Sequence, residues 1–138
     1  MAVAISDVFN AAMAIMDELS NTGEAQTSDT KEYEYRTPSI MNVMVSELKM
    51  FTGDFDEWLA VESMDDIVPE ANTSYALGCM PYGLAANLLV DENPTAASFY
   101  QQRYEELRNI YISRQAASVD DITNMYGGIG YGEFSRWG

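Results

Sequence analysis

The sequence predicts a mainly α fold: a small four-helix bundle with a long helical hairpin and an extended C-terminal arm. Three observations predict it. Four segments repeat apolar residues at helical spacing, each bounded by cap or turn chemistry. Only Asp91-Glu92-Asn93 separates the third from the fourth, so these two fold back on each other as antiparallel neighbours. The closing stretch, 118–138, holds five glycines and four large aromatics, a content that opposes both helix and regular strand.

The first helix is expected from Ser6 to Leu19. Ser6 serves as its N-cap, Asp7 sits in the first turn, and Val8, Ala11, Ala12, Ile15 and Leu19 form one face. Ser20-Asn21-Thr22-Gly23 then ends it. Residues 24–36 are polar, and Glu32-Tyr33-Glu34-Tyr35-Arg36 reads as a short half-buried strand or an extended connector. Thr37 as N-cap and Pro38 at the first helical position open the second helix. Ile40, Val43, Met44, Leu48 and Phe51 line its face and Gly53 stops it.

Residues 54–72 form an acidic linker, with Trp58, Leu59 and Val61 expected to anchor it to the core. Asp54 and Asp56 invite a calcium reading, but the third oxygen ligand, central Gly and terminal Glu of an EF-hand loop are not there. The third helix, Ser74 to Val90, is apolar almost all round, as a central helix is. Pro81 either kinks it or starts it, with Ser74–Met80 as a separate turn. Asn93 caps and Pro94 opens the fourth helix, which runs to Arg114 with Tyr100, Tyr104, Leu107 and Tyr111 as its stripe. Leu84, Leu88, Tyr104 and Leu107 are expected to pack across the hairpin. Arg103–Glu106 and Glu105–Arg108 pair on its outer side. The domain division is 1–117 for the helical body and 118–138 for the arm.

Chemistry is sparse. Histidine is absent, and Cys79 is the single cysteine. A disulfide within the chain, a Cys/His zinc site and imidazole-assisted nucleophilic catalysis are therefore excluded. Between Gly78 and Met80, Cys79 reads as a buried, inert thiol. The glycine-rich end lacks the Lys-Ser or Lys-Thr and following helix of a phosphate loop. Neither an enzyme nor any cofactor or metal is expected. Twenty-two acidic residues against seven basic ones set a net charge of −15. Such a surface repels phosphate backbones and anionic membranes. The start carries no basic segment ahead of its apolar run, and no apolar run reaches the ~18 residues of a membrane span. Assembly in a cytoplasm is the corresponding expectation.

Several blocks resemble small virion proteins of tailed phages that infect Firmicutes. Tyr82-Gly83-Leu84-Ala85-Ala86 to Asp91-Glu92-Asn93-Pro94, followed by 96–107 (AASFYQQRYEEL), is one. Met125-Tyr126-Gly127-Gly128-Ile129 with 131–137 (YGEFSRW) is similar to the end of the same group, and Glu32 through Thr37 into Ile40-Met41-Asn42 and Glu47-Leu48 resembles it too. The resemblance implies a head–tail connector (adaptor) protein: a homo-oligomeric ring, most often twelvefold, between the portal protein and a tail-side neck or tail-terminator protein. DNA passes through such a channel without specific binding. The implied location is the virion neck, with host cytoplasm during assembly.

On that picture, acidic walls let DNA slide, and Asp54, Asp56, Glu57, Asp65 and Asp66 are the channel-facing candidates. The arm offers Tyr126, Tyr131, Phe134, Arg136 and Trp137 for docking on another chain; folding back on its own helices is the alternative. Two other functions compete: an acidic DNA mimic that blocks a nucleic-acid-binding protein, and a tail-completion or assembly protein. The mimic needs acidic residues spaced like phosphates along one face, whereas here they scatter.

Overall fold

The computed structural model describes residues 2–18 and 21–124, with side chains as far as residue 114. It is mainly helical, as expected. Among the described residues are α1 (Ile5–Ile15), α2 (Lys31–Thr52), α3 (Thr73–Gly78), α4 (Met80–Leu89) and α5 (Pro94–Asn124). A 3₁₀ turn, Ser28–Thr30, precedes α2, and an isolated antiparallel bridge joins Ala4 to Ile67. No described helix is long and apolar enough to cross a membrane.

Asp7 does help to start α1, but from inside the helix. Its carboxylate accepts the backbone N–H of Ala4 at 3.0 Å, and Ala4, not Ser6, is the N-cap. The helix ends at Ile15, short of Leu19, which lies outside the described residues. Asp17 then takes a left-handed φ of 60°, and Glu18 N–H closes onto Met13 O at 2.8 Å. The buried face is Ile5, Val8, Phe9, Ala12 and Met13. It is turned from the expected one because the larger Phe9 and Met13 remove more apolar area from water than Ala11 and Ile15.

The second helix begins at Lys31, six residues before the expected N-cap, and continues straight through Pro38. Residues 32–36 are therefore helical, correcting the strand or connector reading. Tertiary contacts hold these first turns. Tyr33 Oη donates to Glu92 at 2.8 Å, and Arg36 Nη2 donates to Leu88 O at 2.8 Å. Thr37, far from capping, is buried and donates its hydroxyl to Tyr33 O at 2.7 Å. Tyr33, Thr37, Met41, Met44, Val45, Leu48 and Lys49 face inward, while Val43 and Phe51 are exposed. Gly53 ends α2 as expected, in a left-handed conformation with φ 75°.

The expected third helix is two helices. Asn72 Oδ1 caps α3 by accepting Tyr75 N–H at 2.8 Å, and the helix breaks at Cys79. A continuous helix would need a hydrogen bond from Pro81, which has no N–H. Restarting at Met80 puts Pro81 in the first turn of α4, where no N–H is required. Packed against α1 and α2, α4 is the central element; Leu84 and Leu88 are buried. Gly83 is where α4 meets its neighbours most closely. A Cβ there would stand 2.7 Å from Met44 Cε and 3.0 Å from the Tyr104 ring. Asn93 caps α5, its Oδ1 accepting Ala96 N–H at 3.2 Å, and Pro94 opens it, both as expected.

The chain divides into two compact units, Met1–Arg108 and Asn109–Gly138. The division falls within α5, ahead of the expected 117/118 boundary. In the first unit α5 buries Ala97, Tyr104 and Arg108, and Leu107 is only half-buried. In the second, α5 continues to Asn124, so residues 118–124 are helical where an extended arm was expected. Arm residues 125–138 lie outside the described residues.

Candidate interaction surface

Two polar constructions organise the first unit. One is buried between α2, α3 and α5. The hydroxyls of Tyr75 and Tyr104 lie 3.2 Å apart, and Tyr104 Oη donates to Glu47 Oε1 at 3.1 Å. Arg108 Nη1 reaches the same oxygen at 3.3 Å, and its guanidinium lies 4.2 Å from the Phe51 ring centroid and 5.3 Å from that of Tyr104. Arg108 is only 8% exposed. Its expected pairing with Glu105 is replaced by this cross-helix one, whereas Arg103 does meet Glu106, at 3.7 Å.

Burial pushes the Tyr104 hydroxyl up to about 12, and Tyr75 higher still, with desolvation ahead of its bond to Tyr104. The Cys79 thiol, buried and 3.6 Å from Tyr104 O, is raised to about 11 by desolvation. A thiol so raised is protonated at neutral pH and a poor nucleophile, in keeping with the inert role expected of it. These groups lock helices together. Arg108 was readable as part of the α5 stripe, four residues after Tyr104, but its charge argued for the outside.

The other construction is the linker between α2 and α3. Asn42 holds it as a neighbouring strand would: Nδ2 donates to Val61 O and Oδ1 accepts Val61 N–H, both at 2.9 Å. Asp66 Oδ2 accepts the N–H groups of Glu62 and Ser63 at 2.7 and 3.1 Å, tightening a turn. The carbonyls of Met64 and Asp66 then accept the first free N–H groups of α1, from Ser6 and Ile5, at 2.8 Å each. Those donors have no partner within their own helix, so linker and α1 complete each other. Val68 N–H donates to Val3 O at 2.8 Å. Finally, Lys49 Nζ, buried at the end of α2, bridges Asp54 at 3.0 Å and Glu70 at 3.3 Å.

The electrostatics follow from these bonds. The Asp56 N–H, then Lys49, hold the Asp54 carboxyl below its ordinary value, and the N–H groups of Glu62 and Ser63 do the same for Asp66. Burial works against the Lys49 ammonium, but its two carboxylate partners outweigh this and raise it.

Anchored this way, the linker turns Val61 and Val68 inward and other apolar side chains outward. Leu59 is 87% exposed, Phe55 80% and Ile67 54%. The anchoring expected of Leu59 is thus overturned: a side chain two residues before the clamped Val61 falls on the same side in extended backbone, but this segment is irregular and directs it to solvent. Trp58 is half-buried and Val61 buried. Leu59, Ala60, Val61, Ile67 and Pro69 line an open groove of about 580 Å³, edged by Glu62, Asp66 and Glu70.

Of the acidic channel candidates, Asp54 and Asp66 are engaged in the linker's own turns and ion pair, while Asp56, Glu57 and Asp65 are exposed. No group of three His, Cys, Asp or Glu residues is arranged to hold a metal among the described residues. The docking candidates Tyr126, Tyr131, Phe134, Arg136 and Trp137 lie outside the described residues. The exposed apolar set was missed because Phe55, Leu59 and Ile67 look like core residues by type. Compared with protein-family models, curated proteins and solved structures, the chain matches none.

Proposed function

We propose that the chain is a structural subunit of a tailed-phage neck, forming a head–tail connector ring between portal and tail. The observation that carries this reading is the linker. Its backbone is tied to α1 and α2 while Phe55, Leu59 and Ile67 face solvent. Apolar side chains held outward on a fixed backbone suit assembly, because little ordering remains to oppose docking. The strong acidity supports the same reading. A ring of subunits each at −15 would repel DNA phosphates and let the duplex slide, with Asp56, Glu57 and Asp65 nearest the channel.

The test is native mass spectrometry of the full chain, alone and mixed with the portal protein of the same phage. A ring-sized complex that joins the portal is the expected result. A chain that stays monomeric and ignores the portal overturns the proposal.

A further inference from the structure

We infer that the groove on the linker receives the C-terminal segment, residues 125–138, of a second copy of this chain, with Phe134 and Trp137 in the groove and Arg136 against its acidic edge. This rests on the connector reading and names the contact between neighbouring subunits.

Leu59, Val61, Ile67 and Pro69 give the groove an apolar lining, and Glu62 and Glu70 line it as well. A volume of about 580 Å³ accommodates two aromatic side chains and falls within the ~300–1,000 Å³ typical of ligand sites. An apolar occupant with a positive group near Glu62 fits this lining, since Glu70 is already paired with Lys49.

Charge singles out the occupant. The chain has seven basic residues. Five already have partners within the first unit: Lys31 with Glu34, Arg36 with Leu88 O, Lys49 with Asp54 and Glu70, Arg103 with Glu106, and Arg108 with Glu47. The other two are Arg114 and Arg136. Only Arg136 is flanked by aromatics, in Phe134-Ser135-Arg136-Trp137. Residues 125–138 contain one acid, Glu133, and one base, Arg136. They are neutral in a chain at −15, so this stretch approaches another acidic body with least repulsion. Fully extended, the residues from 125 to 136 reach up to about 40 Å, far enough to span to an adjacent molecule. Tail into groove is a head-to-tail contact, which forms a ring when the rotation between neighbours closes.

The test uses full-length chains in sedimentation velocity across a concentration series. The wild-type chain should self-associate. Leu59→Glu, at a solvent-facing side chain, and the double variant Phe134→Ser/Trp137→Ser should each sediment as monomers with unchanged circular dichroism. Mixed together, these two variants should form a one-to-one dimer and nothing larger, since one retains only the tail and the other only the groove. Arg136→Glu should weaken wild-type association by about tenfold or more, as expected for a charge contact at a docking surface.

A monomeric wild-type chain, or mixed variants that fail to pair, overturns the inference in favour of a tail held on its own chain or elsewhere. Association that survives Leu59→Glu overturns the groove assignment but leaves the ring standing. Loss of both self-association and portal binding removes the ring as well.

Discussion

The helical core and the linker that crosses it are held by different forces. In the core, Phe9, Met13, Met41, Leu84 and Leu88 are fully buried, and stability comes from apolar area removed from water. In the linker, order comes from side chains bonding backbone: Asn42 to Val61, Asp66 to Glu62 and Ser63, and backbone to the start of α1. The difference teaches that a segment fixed by polar contacts leaves its apolar side chains free for a partner, whereas a segment fixed by burial consumes them.

The sharpest break of that contrast is Leu88→Ala. Its side chain is 1% exposed, so the substitution should cost about 2–5 kcal/mol. Chemical denaturation measures it; an unchanged midpoint would put Leu88 outside the core.

pH should separate the regions next. Tyr33 and Tyr104 in the core are each pushed from 10.0 up to about 12, chiefly by desolvation. Folding favours their neutral forms, so this stability is complete below pH 10 and is lost as pH rises toward 12. At about 1.4 kcal/mol per pKa unit, a shift of this size corresponds to a loss on the order of 3 kcal/mol at most for each. The core should unfold cooperatively in that window, with tyrosinate absorbance and helical circular dichroism changing together.

The linker should respond at the other end. Asp54 and Asp66 are lowered below 3.8, so their contribution is present above that value and lost as pH falls through their folded values. Amide exchange of residues 54–68 should accelerate in acid before that of α4. Simultaneous acceleration would mean that linker and core open as one.

Asn42→Ala strikes the clamp alone. Two hydrogen bonds to Val61 are lost, at a cost of about 1–3 kcal/mol if the Val61 groups stay without partners. Faster amide exchange at residues 59–63, with α4 unaffected, is the expected signature. Leu59→Ser should have the smallest effect on stability, within about 0.5 kcal/mol, because the side chain is already in water. A larger loss would place Leu59 against the core after all.

Cap chemistry was legible at two boundaries and misleading at two: Ser6 and Thr37-Pro38 do not start α1 and α2. Asn93-Pro94 and Gly53 act where local backbone geometry alone decides, and both stand as read. Periodicity located every long helix, but not which way its face turned. Val43 and Phe51 fit the α2 pattern yet are exposed, while Thr37 and Lys49 are buried by virtue of Tyr33 O, Asp54 and Glu70. The groove was less legible still. Leu59 and Ile67 have the composition of core residues, and only their setting between Asn42, α1 and the Asp66 turn directs them outward.

Local sequence was enough for the helical class, the Gly53 and Asn93-Pro94 boundaries, the place of the α4–α5 turn and the acidity, because each depends on neighbours a few residues apart or on composition. Only the folded body settled that Lys31–Arg36 is helical, that Arg108 is buried, and that the linker shows its apolar side to solvent. Each of these depends on a group brought close from far along the chain: Glu92 for Tyr33, Glu47 for Arg108, Asn42 for Val61. Local spacing carries no information about such a partner, because its position is set only when the whole body has folded.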